Sequence, residues 1–232
     1  MDERKLIILN TIIKEHIKTG APVGSGVLVD KYRLDISPAT VRNEMAELEE
    51  ENFIIQPHTS AGRIPTEKAY NLYLASLKEK QLAEKEAEVL RRALKGNDEA
   101  SFKQTAKEMA KISGNAIFWA FHKNNLYYTG ISNLFSQPEF SEPNLIYNIS
   151  AIIDRMDEII DDIFSEVKET EILLGSANPF GDSCSTIFSK YKRAGKTGLF
   201  GILGPMRMDY EKNLALVKYV AQRITHNALV LR

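Results

Sequence analysis

The stretch SPATVRNEMAELEEENFIIQPHTSAGRIPT, Ser37 to Thr66, reads as a helix followed at once by a hairpin. Ser37 stands where a side-chain oxygen can accept a free amide of the first helical turn. Pro38 fills the first helical position, where a missing N–H is harmless and φ is already near its helical value. Val41, Met45, Leu48 and Asn52 recur at helical spacing on one face, Ala39 and Asn43 point away from it, and Thr40 and Arg42 flank them. Beyond Asn52 come a short β-prone run, a cluster of turn formers and a return through Arg63 and Ile64 to Pro65.

Working backward from that stretch, Leu6, Leu9, Ile13 and Ile17 predict an amphipathic helix with Ile12 on its shoulder, stopped by Gly20. Ser25 is read as the cap of a second short helix through Val27, Leu28 and Tyr32, ending near Leu34 and Asp35. Three short helices and a hairpin form the layout of a winged helix-turn-helix, whose third helix enters the major groove and whose wing meets the backbone or minor groove. Ser37, Ala39, Thr40, Arg42 and Asn43 are then the DNA-facing residues of that helix. Arg can donate bidentately to guanine, Asn can pair with adenine, and Thr can meet a phosphate or a thymine methyl. On an isolated capped helix the same residues would be an ordinary solvated face, and it is the hairpin behind them that changes the reading. Its segment HTSAGR adds His58, Thr59, Ser60 and Arg63 as phosphate-binding chemistry at a tip, with Gly62 for close approach.

Charge speaks against this reading at first sight. The whole chain carries 30 basic and 31 acidic residues for a net charge of −1, so no polyanionic partner follows from the overall balance. Residues 1–75 hold Arg4, Lys5, Lys14, Lys18, Lys31, Arg33, Arg42, Arg63 and Lys68 against a larger number of Asp and Glu. That balance is unlike the basic domain usual for nucleic-acid binding. The acid is concentrated, however, in Glu44, Glu47, Glu49, Glu50 and Glu51, in the latter part of the third helix rather than at its groove-facing start. Weak affinity per subunit, offset by two subunits on a symmetric site, is the expected consequence.

Downstream, Thr66 is read as the cap of a fourth helix that continues through Tyr70, Tyr73, Leu74 and Leu77 to Leu90 and Leu94, where Gly96 and Asn97 stop it. Its Lys/Glu alternation from Lys78 to Glu88 marks a connecting helix between domains. The expected organisation is a DNA-binding domain over residues 1–78, a connecting helix over 79–97 and a second domain over 98–232. In that domain a helix over Glu99 to Ile112 ends at Gly114, AIFWAF and LYYTGIS form strands joined at Asn124 and Asn125, and Leu145, Ile149, Ile152, Ile153 and Met156 form a helical stripe. EILLGS and TGLFGILG are read as buried strands bracketing a polar loop, before a last helix from Asp209 through Leu216, Val217 and Val220. The fold class is thus α+β.

Other chemistry finds no support. Leu6 to Ile13, the longest apolar run, is far shorter than the roughly 18 residues a membrane span needs. Asp2, Glu3, Arg4 and Lys5 do not open a signal peptide, so a cytoplasmic location is expected. His16, His58, His122 and His226 are scattered and read as surface residues with no metal site. Cys184, Ser183 and Ser185 read as loop, the glycines of GLFGILGP lack a phosphate-cradling spacing, and no acid–base pair assembles. No cofactor and no enzymatic activity are expected.

TGAPVGS (Thr19–Ser25), SPATVRNEMAELEE (Ser37–Glu50) and QPHTSAGRIPTEKAY (Gln56–Tyr70) resemble the N-terminal domain of the HrcA family of heat-inducible transcription repressors. The resemblance resumes at GISNLFSQPEF (Gly130–Phe140) and GILGPMRMDYEKNLALVKYVA (Gly201–Ala221). It implies a homodimer bound to double-stranded DNA at an inverted-repeat operator of the CIRCE type upstream of chaperone genes, with release on heat shock and modulation by the GroE chaperonin. It implies a GAF-like α/β second domain. It also implies a large inserted segment associated with dimerisation, where here only His122 to Asn125 lie between the two strands. Dimer contacts are therefore sought in the connecting helix around Leu82, Leu90 and Leu94, or on an exposed face of the second domain's sheet. Two further readings stay open: a ligand-responsive winged-helix regulator using the GAF-like domain, and a protein-interaction module that has lost DNA binding.

Overall fold

A computed structural model describes the chain except residues 33–35, 97, 123–124, 141–149, 168, 194 and 231–232, and the side chains of 165 and 226–230. It divides into two compact units, Met1–Lys78 and Glu79–Arg232. Among the described residues no helix is long and apolar enough to cross a membrane.

The first unit opens with α1 (Glu3–Thr19), started by the Asp2 carboxylate on the Lys5 amide and stopped by Gly20 at φ 68°. Its buried stripe is Ile8, Leu9, Ile12, Ile13 and His16, whereas Leu6 is 37% exposed. Ile12 is therefore at the centre of the stripe and not on its shoulder. Helices pack against α1 from more than one side, and an all-apolar segment such as LIILNTII does not by itself say where the centre falls. His16 donates or accepts at Nδ1 with the Tyr70 hydroxyl, 2.8 Å away, so the surface reading of this histidine is corrected. The second helix, α2 (Ser25–Tyr32), begins at Ser25 instead of being capped by it, and the end expected near Leu34 and Asp35 lies outside the described residues. Glu15 ties α2 to α1, accepting hydrogen bonds from Lys31 Nζ at 2.5 Å and Tyr32 Oη at 2.7 Å.

The third helix, α3 (Pro38–Glu50), has the predicted start: the Ser37 side chain accepts from the Thr40 amide, and Pro38 follows. Val41, Met45 and Leu48 are buried. Asn52 does not extend that face. The helix ends before it, Asn52 is exposed and its φ is 59°, a left-handed conformation that Asn tolerates better than most side chains. Two short strands, β1 (Ile54–Ile55) and β2 (Ile64–Pro65), pair antiparallel, and Val23 adds an antiparallel bridge to Arg63. α4 (Glu67–Ala75), capped by Thr66, closes the unit with Ala69, Tyr70 and Tyr73 buried.

The fourth helix does not run unbroken to Leu94. It stops at Ser76, residues 77–83 are not helical, and α5 (Glu84–Ala93) starts afresh before a 3-10 turn at Leu94–Gly96. α4 buries its stripe in the first unit and α5 buries Ala87 and Leu90 in the second, so neither core asks the intervening chain to stay helical. Leu90 and Leu94 are 0% and 2% exposed within their own unit, which removes them as dimer contacts.

The second unit continues with α6 (Glu99–Ser113), opened by a reciprocal Asp98–Ser101 cap and closed by Gly114 at φ 67°. Five strands follow: β3 (Ala116–His122), β4 (Asn125–Thr129), β5 (Thr170–Leu174), β6 (Cys184–Arg193) and β7 (Lys196–Pro205). They form one antiparallel sheet in the order β4-β3-β7-β6-β5. The expected polar loop is corrected to β6, a central strand that holds Cys184 and Ser185 buried. Its run CSTIFSKYKR looks polar, but Ser185, Thr186 and Ser189 are buried under the layers on either side. β4 ends at Thr129, and Gly130, at φ 75°, turns the chain into the short helix α7 (Ile131–Phe135) instead of prolonging the strand.

On one sheet face Phe118, Phe188, Leu199 and Leu203 pack with Phe140, Phe180 and the buried stripe of α8 (Met156–Glu166). Residues 150–154 are helical ahead of α8, while Leu145 and Ile149 of the expected stripe lie outside the described residues. On the other face Trp119 stacks between Phe102 of α6 at 5.0 Å and Phe200 at 4.6 Å, and its indole N–H donates to the Tyr191 hydroxyl at 2.9 Å. The last helix, α9 (Tyr210–Val230), runs along β6 beside α6. Both faces are thus covered, and a bare sheet face for dimerisation is not found among the described residues. Glycine shapes the sheet at two points: a Cβ on Gly198 would fall 2.2 Å from the Tyr191 ring, and one on Gly201 would fall 2.6 Å from the Phe118 ring.

Two sequence stretches far apart meet in this unit. Arg207 pairs with Glu139 and donates to Gln137 Oε1 at 2.8 Å, joining GPMRMDYEK to SQPEF. Asn133 donates to the backbone carbonyls of Ala110 and Asn115, and Asp209 caps α9 through the Lys212 amide.

Candidate nucleic-acid interface

The residues expected to face DNA fall in two groups on the first unit. At the start of α3, Ser37 is tied to its capping role, with its hydroxyl also 2.9 Å from Thr40 Oγ1, and Thr40 is half-buried. Ala39, Arg42 and Asn43 are exposed. Among the described residues no carboxylate pairs with Arg42. The first turn is thus short in side chains and open, Arg42 adds a positive charge just beyond it, and the positive end of the helix dipole lies there.

The acidic half of the same helix is partly compensated from its neighbours, by three cations for five carboxylates. Glu44 pairs with Arg4 at 3.4 Å, Glu47 with Lys5, Glu51 with Lys5 at 3.4 Å, and Glu49 with Arg63 at 2.8 Å. Glu47, and after it Glu51, hold the Lys5 ammonium above its ordinary pKa, so it stays charged. Of the five acids that argued against DNA binding, four are therefore engaged in fastening α3 to α1 and to the hairpin.

The second group is the hairpin. His58, Thr59 and Ser60 are exposed at its tip, where Ser60 takes φ 72° and the Ala61 amide closes back on the His58 carbonyl at 3.0 Å. Gln56 Nε2 donates to the Ala61 carbonyl at 3.0 Å across the loop. Arg63 is not at the tip. Its backbone exchanges two 2.9 Å hydrogen bonds with Val23, and its guanidinium rests on Glu49. Gly62 serves the same junction: a Cβ there would stand 2.5 Å from the Val23 carbonyl carbon, so the close approach it permits is to this chain's own backbone. Sequence reasoning missed Glu49 and Val23 as parts of the site. Glu49 was counted only as acid, though its place two turns beyond Arg42, ahead of a hairpin with one arginine, was a readable signal.

Among the described residues no group of three His, Cys, Asp or Glu could hold a metal ion. Cys184 is buried, and desolvation pushes its thiol up to about 12, so it is not a ready nucleophile.

Comparison with known proteins bears on this surface. The family model for the HrcA protein C-terminal domain matches residues 40–214. The heat-inducible transcription repressor HrcA of Natranaerobius thermophilus is 26% identical over 328 aligned positions, covering 96% of this chain and 95% of that protein. That alignment is longer than the 232-residue chain, so the relative carries inserted residues absent here. The protein of the same name from Desulforamulus reducens is 54% identical over 93 residues, covering 40% of this chain and 27% of its own length. The fold is similar to the crystal structure of a hypothetical protein at 2.2 Å resolution, with a TM-score of 0.80, 15% identity and full coverage of both chains.

Proposed function

This chain belongs to the HrcA family of heat-inducible transcription repressors, and from that premise we propose that it represses heat-shock genes by binding double-stranded DNA at a CIRCE-type inverted repeat as a homodimer. The first unit is taken as a winged helix-turn-helix, residues 1–78, and the second as a GAF-like domain. In this reading the start of α3 enters the major groove. Arg42 and Asn43 meet base edges there, Ser37, Ala39 and Thr40 line the approach, and His58, Thr59 and Ser60 at the wing tip meet phosphates. The observation that carries it is the charge arrangement of α3: its exposed N-terminal part bears Arg42, while four of the five acids Glu44, Glu47, Glu49, Glu50 and Glu51 are ion-paired within the unit. Release on heat shock, modulation by the GroE chaperonin and a cytoplasmic location are proposed from family membership.

The test is an electrophoretic shift of a duplex carrying the inverted repeat against a scrambled duplex, with molar mass from light scattering in parallel. The expected result is a shift confined to the inverted repeat by a protein of twice the 26.2 kDa chain mass. Equal shifts of both duplexes, or none at low salt, would overturn the proposal and favour a protein-interaction module.

A further inference from the structure

Glu49 holds both arms of the hairpin at once, just beyond β1 and just before β2. Its Oε1 accepts the backbone N–H of Gln56, 3.2 Å away, on the outgoing side. Its Oε2 accepts Arg63 Nε–H at 2.9 Å, with Nη2 of the same guanidinium at 2.8 Å, on the returning side. The carboxylate belongs to α3, the helix whose N-terminal part carries Arg42. It is therefore a direct link between the element proposed to read bases and the element proposed to meet phosphates. Such charge-assisted bonds are the stronger and more directional kind. The side chains are only partly exposed, 34% for Glu49 and 21% for Arg63, so solvent competes incompletely. The base of the hairpin is held by buried Ile54 and by packing of β2 on α1, but β1 and β2 are two residues each, and beyond them the described contacts that orient the hairpin are those of Glu49, the Arg63–Val23 bridge and the Gln56–Ala61 hydrogen bond.

We infer that Glu49 is a positioning residue for DNA recognition: with Arg63 and the Gln56 amide it clamps the wing at a set angle to α3, and Arg63 serves the clamp instead of gripping a phosphate. The inference rests on the DNA-binding reading above. Two contacts held on one rigid body bind with the second already in place, whereas a loose wing must be ordered on each encounter. An acid on a DNA-binding surface is otherwise a liability. Removing it then strengthens binding if it serves no purpose and weakens binding if it is the clamp.

That opposition of sign is the test. Operator affinity of the full-length protein is measured across a salt series for the unmodified chain, Glu49→Gln, Arg63→Gln and the exchange Glu49→Arg with Arg63→Glu, all below the lowest unfolding midpoint of the set. The clamp predicts that Glu49→Gln and Arg63→Gln each weaken binding by about tenfold, with unchanged dependence on salt, and that the exchange restores part of the loss, since it rebuilds the ion pair but leaves the Gln56 amide without its acceptor. Tighter binding by Glu49→Gln would overturn it. So would a flattening of the log K against log salt slope by about two in Arg63→Gln, the mark of one lost phosphate contact in each subunit of the dimer. Should the unmodified chain itself fail to prefer the operator, the DNA-binding reading fails, and the clamp's role in recognition fails with it.

Discussion

Arg42 is one residue whose role the fold leaves open to a direct trial, because it is exposed and unpaired among the described residues. Arg42→Ala should reduce discrimination between the inverted repeat and single-base variants at one symmetric pair of positions by about 1–3 kcal/mol, read from competition binding. A uniform loss across all sequences would make it a phosphate contact. Glu15 makes a different kind of prediction. Lys31, and next Tyr32, hold its carboxyl below the ordinary value, and the phenol of Tyr32 is pushed up to about 12, first by burial and then by Glu15. A carboxyl whose pKa is lowered by folding contributes stability above its unfolded pKa and loses it as pH falls through the folded value. The gap in unfolding midpoint between the unmodified chain and Glu15→Gln should therefore be widest near pH 7 and close below about pH 4, where an ordinary carboxyl is itself protonated. Neither Glu15 nor His16 was legible as a buried polar residue, since helical spacing ranks positions by hydropathy and cannot see Lys31 or Tyr70 arriving from other helices.

At the level of elements, the starts and stops of helices were the most readable features. Ser37, Thr66 and Gly20 act on their immediate neighbours, so their effect is local and can be read from a few residues, although Asp2, the cap of α1, was not read as one. The run from Leu77 to Ala83 shows the opposite case. LKEKQLA is a sound helical sequence, yet the chain is not helical there, and Lys80 and Glu79 instead pair with Glu211 and Lys218. Glu84→Pro tests the break. Ala83 already holds φ −62° and ψ 140°, the extended form required before proline, and position 84 is the first of α5. The midpoint of thermal unfolding should shift little, whereas proline inside a continuous helix would cost about 3 kcal/mol. β6 went unread for a related reason. Ser185, Thr186 and Ser189 are polar enough to suggest a loop, and only their partners on β5 and β7 make the segment a strand.

For the whole molecule, each unit has its own core, and the segment between α4 and α5 is largely exposed. Brief trypsin treatment should cut after Lys78 or Lys80 before other sites and leave an N-terminal fragment that keeps its helical circular dichroism. Early cleavage within α5 instead would contradict the division. The ligand-responsive alternative meets a sheet face already occupied by Phe118, Phe140, Phe180 and Phe188, so a metabolite there would have to displace packed aromatic rings. The sequence by itself determined the caps at Ser37 and Thr66, the stops at Gly20 and Gly114, the helix-then-hairpin order of Ser37–Thr66, the α+β character and the family. These depend on residues close in the chain or on long runs of shared identity. Only the tertiary structure decided that the acids of α3 face Arg4, Lys5 and Arg63, that Gly62 admits the Val23 backbone, and that SQPEF meets GPMRMDYEK through Arg207. Each of those pairings joins residues distant in sequence, and a side chain's partner across such a distance is set by how the elements pack rather than by anything written beside it.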